Sequence, residues 1–285
     1  MDDQVSTAIN APNLFISKNG RRLAYRDFGS GRPIVLCTRF RANMDLWDPA
    51  FVDGLVDQGL RVITFDYSGL GLSEGPATYD PSALARDALD LIDALDLRNV
   101  IIGGWSLGGM AAQMVLMIDA SRIGHAVLIG TTPPGPLVKE AEQLFFDTAV
   151  IPKYTLEHET ILFFEPHSRL SREAAAHSAE RIAVRTRDLS VPVDPVWAAA
   201  NLGARPTNPI FPVAALLDTL KVTSIPILHI GGDHDIIFPV ENWYALNGQL
   251  PTVQLLTFAS AGHGPQHQHP EACAEYIASF ARNFR

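Results

Sequence analysis

Short apolar runs alternate with longer segments of helical periodicity along most of this chain, and that alternation restricts its fold more than any other feature. Six runs are rich in β-branched residues and are bounded by Gly, Pro or polar residues, as buried strands are. Strands that alternate with helices predict an α/β fold, in which helices cover both faces of a mostly parallel sheet. The predicted strands are Ile34–Cys37, Arg61–Phe65, Val100–Gly103, Ala126–Ile129, Pro226–Ile230 and Gln254–Phe258, and the predicted helices are Pro81–Leu95, Leu107–Ile118, Val240–Leu250 and Pro270–Phe284.

A hairpin is predicted near the start of the chain. Leu14–Ser17 and Arg22–Asp27 have strand patterns, and Asn19-Gly20 between them is a dipeptide typical of tight hairpin turns. These two strands bring the predicted sheet to eight strands.

The alternation stops after Thr131 and returns at Pro226. Residues 133–220 contain no convincing core strand, and prolines separate their helical patterns. We therefore expect a core domain made of residues 1–132 and 221–285, with residues 133–220 inserted as a helical cap. The helical patterns in the cap are Lys139–Val150, Leu156–Phe163, Ser171–Thr186 and Pro195–Leu202, and its prolines include Pro152, Pro166, Pro192, Pro206, Pro209 and Pro212.

Composition excludes several classes of function. Hydrophobic residues make up 47% of the 285 residues, so the chain can bury a large core. The net charge of −9 and the lack of a basic run disfavour nucleic-acid binding. The acidic start does not resemble a secretory signal, and no apolar stretch approaches the roughly 20 residues that cross a bilayer. Cys37 and Cys273 are expected to be free thiols, so we predict a cytoplasmic protein that does not bind membranes.

One short motif carries nucleophile chemistry. Gly104-Trp105-Ser106-Leu107-Gly108 matches the pattern G-x-S-x-G, between a predicted strand and a predicted helix. A sharp turn there would push the Ser106 hydroxyl above the sheet, and the Leu107 N–H at the helix N-terminus would favour an oxyanion. A bare match would also fit a glycine-rich turn with a capping serine, but the strand and helix around it favour a nucleophile.

A serine nucleophile needs a base, and the base needs a carboxylate that orients it. His263 lies between glycines after the last predicted strand, which suits a loop that aims a side chain. Asp233 and Asp235 both follow the strand that ends at Ile230. We favour Asp235, where the turn leaves the sheet, and interpret Asp233 as a turn residue that bonds its own backbone.

These motifs, together with the D-x-x-G-x-G-x-S run from Asp66 to Ser73, resemble the α/β-hydrolase superfamily from about Leu14 to the C-terminus. The resemblance implies a Ser106, Asp235 and His263 triad that works through an acyl-enzyme. It disfavours haloalkane dehalogenase and epoxide hydrolase activity, because those relatives carry Asp at the position of Ser106. The superfamily hosts many reactions, so the likeness alone does not identify a substrate.

The chain departs from the family pattern after its third strand. The family usually has His-Gly-x there, and the residue in the last position donates an oxyanion N–H. This chain has Thr-Arg-Phe, so the resemblance implies that Phe40 is the donor. Arg39 and Arg41 flank it, and one of them could bind a substrate carboxylate or a polar carbonyl. Alternatively, both point to solvent or pair with acids such as Asp45 or Asp48.

The binding pocket is predicted to be mostly hydrophobic because the cap is rich in apolar residues. Trp105 and Trp197 are candidate substrate contacts, and core packing is the alternative for both. His263, His267 and His269 are close in sequence, but no helical His spacing or Cys partner accompanies them. We therefore expect neither a metal nor a cofactor.

Three functional hypotheses remain open. The first is hydrolysis of a carboxylic ester or lactone of a hydrophobic small molecule. The second uses the same triad for C–C bond hydrolysis, amide hydrolysis or cofactor-free perhydrolysis. The third is a small-molecule receptor that keeps the pocket without turnover. The sequence leaves the oligomeric state open.

Overall fold

Eight apolar segments pair into one open sheet in the computed structural model, which describes residues 7–202 and 213–284. Their order across the sheet is β1-β2-β4-β3-β5-β6-β7-β8. Strand β2 is antiparallel to both of its neighbours, and the other pairs are parallel, which confirms the predicted sheet. The strands are β1 (Leu14–Lys18), β2 (Arg21–Gly29), β3 (Arg32–Cys37), β4 (Leu60–Phe65), β5 (Val100–Trp105), β6 (Ile123–Ile129), β7 (Ile227–Gly232) and β8 (Val253–Phe258).

The predicted hairpin turns where the Asn-Gly dipeptide stands. Lys18 pairs with Arg21 across a two-residue loop, and the loop residues Asn19 and Gly20 have φ values of 52° and 76°. Two successive positive φ angles match the right-handed twist of the strands, and Asn and Gly adopt them most readily.

Eleven α-helices are present in the described residues, and some were not predicted. The helices Pro49–Asp57, Val213–Val222 and Pro265–Gln268 were not predicted, although Asp48 caps the first of them and Pro49 begins it. The helix predicted over Val240–Leu250 is only one turn long, because the N–H groups of Leu246, Asn247 and Gln249 bond to carbonyls three residues back and form turns. The helices are α1 (Pro49–Asp57), α2 (Pro81–Ala94), α3 (Leu107–Ile118), α4 (Gln143–Ala149), α5 (Leu156–Phe163), α6 (Arg169–Ala183), α7 (Pro195–Asn201), α8 (Val213–Val222), α9 (Glu241–Tyr244), α10 (Pro265–Gln268) and α11 (Pro270–Asn283).

Two hydrophobic layers enclose the sheet. Successive residues of β3 alternate between them: Val35 packs in the layer under α2 and α3, whereas Ile34 and Leu36 pack in the layer under α1 and α11. Cys37 and Cys273 are buried free thiols in these layers, and burial raises the pKa of both.

Helices α4 to α8 all lie between β6 and β7, and the segment predicted to be a cap, residues 133–220, contains them except for the last two residues of α8. Residues 203–212 of that segment, with Pro206, Pro209 and Pro212, lie outside the described residues. Across residues 7–202 and 213–284, every helix is too short or too polar to cross a membrane.

Candidate active site

The candidate site residues follow the carboxyl ends of strands β3, β5, β7 and β8. Because parallel strands end at the same edge of a sheet, the loops after them converge there, and such an edge is the usual ligand site of an open α/β sheet. Ser106, Phe40 and His263 line one pocket at this edge, and Asp235 contacts His263 from behind. The fold thus brings together four residues that are far apart in the sequence.

Ser106 occupies a strained turn between β5 and α3. Its φ of 61° and ψ of −121° are unfavourable for a residue with a Cβ atom. The turn is possible because its neighbours lack side chains. A Cβ on Gly104 would lie 2.0 Å from the Gly108 carbonyl oxygen, and one on Gly108 would lie 2.0 Å from the Cys37 carbonyl oxygen. The two glycines of the motif therefore fit the close approach of the backbone that positions the serine.

Only one of the two ring nitrogens of His263 has a hydrogen-bond partner among the described residues. Its Nδ1 atom lies 2.8 Å from Asp235 Oδ2, and its side chain is 1% exposed. The Nε2 atom is buried and has no hydrogen-bond partner among the described residues. Ser106 Oγ lines the same pocket but makes no direct hydrogen bond to Nε2, and such contacts are often longer before substrate binds.

Asp235 is built to stay ionised although it is buried. Burial by itself raises the pKa of this carboxyl, but attraction to His263, the hydrogen bond from its ring and two backbone N–H donors lower the pKa overall. Those donors are Ile237 N and Phe238 N, each 2.9 Å from Oδ1. With Oδ1 saturated by the backbone, Oδ2 is left to accept from His263 Nδ1, which fixes the ring tautomer.

Asp233 makes contacts different from those expected for it. Its Oδ1 atom lies 2.6 Å from His234 Nδ1 and 3.4 Å from Ala261 N, so it bridges two loops instead of bonding its own backbone. That part of the prediction was wrong because Asp233 is exposed beside a histidine, which competes for its carboxylate. The His234 pKa is raised by the hydrogen bond with Asp233.

Two backbone N–H groups near Ser106 have no acceptor among the described residues. They belong to Phe40, in the loop after β3, and to Leu107, the first residue of α3. The first N–H groups of a helix lack intrahelical partners and attract negative charge. The two positions are those expected from the sequence for stabilising an oxyanion.

Arg39 and Arg41 do not make the contacts suggested as their alternative. Asp45 instead pairs with Arg26 and Arg185, and Asp48 with Arg181. Arg41 donates to the carbonyl oxygens of Ala149, Ile151 and Pro152, which ties the segment after α4 to the loop after β3. Arg39 is buried in the wall of the Ser106 pocket. Only the tertiary structure could show which acids were already paired.

The two candidate tryptophans lie behind or beside the pocket. Trp105 is 1% exposed, and its Nε1–H donates to the His263 carbonyl oxygen at 2.8 Å. Trp197 packs against Tyr79 with ring centroids 4.8 Å apart, and neither tryptophan is among the described residues that line the pocket with Ser106. Trp105 therefore supports the loop that carries His263.

Helices α4 and α5 supply most of the remaining pocket wall, and part of it was not foreseen. Tyr154 lies in the loop between them, where no motif marks it, and its hydroxyl donates to the Ala149 carbonyl oxygen at 2.7 Å. Aromatic rings also surround His263, with Phe238 centred 5.6 Å from it. The pocket residues from this segment are Phe145, Ala149, Tyr154, Leu162 and Phe163.

The three neighbouring histidines contact different groups. His267 lies beside Asp48 and Ser178, with Ser178 Oγ 3.3 Å from its Nδ1 atom, and His269 stacks on Phe258. Within residues 7–202 and 213–284, no group of three His, Cys, Asp or Glu side chains is arranged to hold a metal ion.

Burial of His267 makes folding stability depend on pH. The pKa of this histidine is lowered to about 4, mainly by burial; Asp48 opposes the shift, and the nearby cations Arg39 and Arg181 add to it. The unfolded chain therefore takes up this proton first as the pH falls below about 6.5. The contribution of His267 to folding stability is fully present above that pH and is lost as the pH falls towards 4.

We expect this histidine to remove about 2 kcal/mol of unfolding free energy between pH 7.5 and pH 5. Urea unfolding of wild type and His267→Gln at both pH values measures it, because the glutamine cannot titrate. The variant should lose less stability than wild type over that range. An equal loss in both proteins would show that His267 is not the group responsible.

Similarity to known proteins places this chain in a family. A profile of the alpha/beta hydrolase fold matches residues 32–270, and the chain belongs to that family. A non-heme chloroperoxidase from Streptomyces lividans is 25% identical over 283 residues, which cover 94% of this chain and 98% of that protein.

Two solved structures are similar along nearly their whole length. An alpha/beta hydrolase fold protein from Chitinophaga pinensis is 28% identical with a TM-score of 0.81, covering 98% of this chain and 100% of that one. A thermophilic esterase from Thermogutta terrifontis, solved with malate bound, is 26% identical with a TM-score of 0.71, covering 95% and 98%. The chain is thus an α/β hydrolase with esterase-named and haloperoxidase-named relatives.

Proposed function

We propose that this protein is a serine hydrolase that cleaves a carboxylic ester or lactone of a mostly hydrophobic small molecule through an acyl-enzyme. One observation carries the proposal: Asp235 holds His263 through Nδ1, while Nε2, which has no partner among the described residues, shares a pocket with Ser106. The esterase-named relative supports the same class of reaction.

Acylation in this proposal begins with attack of Ser106 Oγ on the substrate carbonyl carbon. His263 Nε2 takes the hydroxyl proton, and Asp235 stabilises the resulting imidazolium. The carbonyl oxygen becomes an oxyanion, and the N–H groups of Phe40 and Leu107 donate hydrogen bonds to it. The bond to the leaving oxygen then breaks as His263 returns its proton to that oxygen.

Deacylation repeats the same steps with water. His263 Nε2 takes a proton from a water molecule as its oxygen attacks the acyl carbon. The bond to Ser106 Oγ breaks, the serine recovers its proton, and the carboxylic acid leaves. Aromatic rings lie around His263, and their low polarity strengthens each charged contact at the site.

Residues 133–220 are proposed to act as the cap of this site. Phe145, Leu162 and Phe163 from that segment line the pocket with Ser106, which supports a role in selecting the substrate. Arg41 attaches the loop after α4 to the loop that carries Phe40. Movement of the cap would therefore also affect the oxyanion donor.

A second candidate is cofactor-free perhydrolysis, which the chloroperoxidase-named relative supports. Hydrogen peroxide would attack the same acyl-enzyme in place of water and release a peroxy acid. The peroxy acid can then oxidise a halide ion to hypohalous acid, which regenerates the carboxylic acid. The protein groups are the same, so the two reactions differ in the attacking molecule.

A substrate panel tests the proposal. Wild type and Ser106→Ala are assayed side by side with p-nitrophenyl esters, lactones and a 1,3-diketone, each with and without hydrogen peroxide and bromide. We expect Ser106-dependent hydrolysis of at least one ester or lactone. Faster diketone cleavage would indicate a C–C hydrolase, Ser106-dependent bromination would favour the perhydrolase, and binding without turnover of any compound would indicate a receptor.

A further inference from the structure

Arg39 is a buried cation without a carboxylate partner among the described residues. It is 8% exposed, and the other two arginines buried to that degree among the described residues, Arg26 and Arg185, both face Asp45. Its Nε atom is buried and has no hydrogen-bond acceptor among the described residues. Burial of an unpaired charge costs free energy, and proteins retain such costs mainly at functional sites.

The Arg39 guanidinium is held in place by groups that leave its charge uncompensated. Its centre lies 4.2 Å from the Phe163 ring centroid and 5.1 Å from that of Trp105, and Nη1 donates to the Phe40 carbonyl oxygen at 2.9 Å. Aromatic faces and one neutral carbonyl orient the planar fork without satisfying all of its donors. A preorganised guanidinium with donors to spare fits a carboxylate in a bidentate way.

The surroundings of Arg39 favour an anion in the pocket. Ser106 and His263 line the same pocket, and Arg41 adds a second positive charge nearby. Glu159 on α5 attracts Arg39 at longer range but forms no ion pair with it. Burial lowers the Arg39 pKa to about 10, so the group stays charged at neutral pH.

We propose that Arg39 binds a carboxylate of the substrate, so that this enzyme prefers acyl compounds that carry a free carboxylate next to an apolar body. The preference among substrates rests on the proposed hydrolase function. The binding of a carboxylate by Arg39 does not depend on turnover. The carboxylate could belong to the acyl part or to the alcohol part of an ester, and both place the same charge in the pocket.

Binding is measured first, because it does not require catalysis. Succinamate and butyramide, which have the same chain length and differ by a carboxylate, are titrated into wild type, Arg39→Met and Arg86→Gln. Methionine fills the apolar space between the rings, and Arg86 is an exposed arginine on α2 that controls for the change in net charge. We expect wild type and Arg86→Gln to bind succinamate about 10- to 100-fold more tightly than butyramide, and Arg39→Met to lose that preference.

Turnover then distinguishes the two positions of the carboxylate. p-Nitrophenyl hemisuccinate against p-nitrophenyl butyrate tests the acyl part, and 4-carboxyphenyl acetate against phenyl acetate tests the alcohol part. We expect Arg39→Met to lower the ratio of anionic to neutral kcat/KM at least tenfold in one of these pairs, mainly through KM.

Equal binding of succinamate and butyramide by wild type would overturn the inference, whether or not the variant folds. So would a preference that survives in a folded Arg39→Met. Selective binding without hydrolysis of any ester would instead leave the carboxylate site standing and refute the proposed function. Ser106-dependent hydrolysis without a preference for the anionic compounds would refute the carboxylate site and leave the proposed function standing.

Discussion

Ser106→Ala is expected to abolish covalent labelling by a fluorophosphonate probe and to lower turnover by roughly 10³- to 10⁶-fold. The oxygen that would form the acyl-enzyme is absent from the variant, whereas the oxyanion donors and the pocket remain. Probe labelling followed by intact-mass measurement gives a direct readout, and the hydrolysis rate of the best ester gives the second.

Ser178→Ala is the matched control for that experiment. Ser178 also lies beside a histidine and an aspartate, since its Oγ donates to Asp48 Oδ2 at 2.7 Å and lies 3.3 Å from His267 Nδ1. However, Arg181 already pairs with Asp48, and Ser178 does not share the Ser106 pocket. Labelling that persists in Ser106→Ala and disappears in Ser178→Ala would move the nucleophile to the second cluster.

Asp235→Asn is expected to lower turnover by about 10⁴-fold, as the equivalent change does in serine proteases. The backbone N–H groups of Ile237 and Phe238 hold one side-chain oxygen and would keep it in place. The new NH₂ group would then face His263 Nδ1 and donate to it. The ring would consequently carry its proton on Nε2, where it could no longer accept one from Ser106.

Asp233→Asn provides the control at the neighbouring position. Asp233 is exposed and contacts His234 and Ala261 N, so its loss is expected to change turnover less than tenfold and to affect mainly the loop. Both variants are checked for folding by circular dichroism, and their rates are measured with the same ester. A severe loss in Asp233→Asn with near-normal turnover in Asp235→Asn would show that Asp233, and not Asp235, is the acid that orients His263.

The local patterns of the sequence were sufficient for the sheet. All eight strands appear where apolar runs and turn residues predicted them, because strand burial and hairpin turns depend on nearby residues. The helix pattern failed at Val240–Leu250, where turns follow a single helical turn, and α1 was not predicted although Asp48 and Pro49 mark its start. What no short-range signal could show is that α1 packs against α11, from the other end of the chain.

The same division holds within the candidate site. The glycines around Ser106 predicted a tight strand-to-helix turn, because only residues without a side chain allow the backbone to approach so closely there. Only the fold showed that Asp235 contacts the Nδ1 side of His263. It also showed that two backbone N–H groups donate to the other oxygen of Asp235. No spacing in the sequence encodes which oxygen of a carboxylate is free.

The sequence by itself therefore determined the fold class, the turn that presents Ser106 and the chain order of the candidate triad. Only the tertiary structure decided which charges meet. It assigned Asp45 to Arg26 and Arg185, and Asp48 to Arg181, and it left Arg39 among aromatic rings beside the pocket. The physical reason is that turns and periodicity depend on neighbours along the chain, whereas ion pairing and burial depend on residues that folding brings together from separate segments, such as Asp48 and Arg181, which are 133 positions apart.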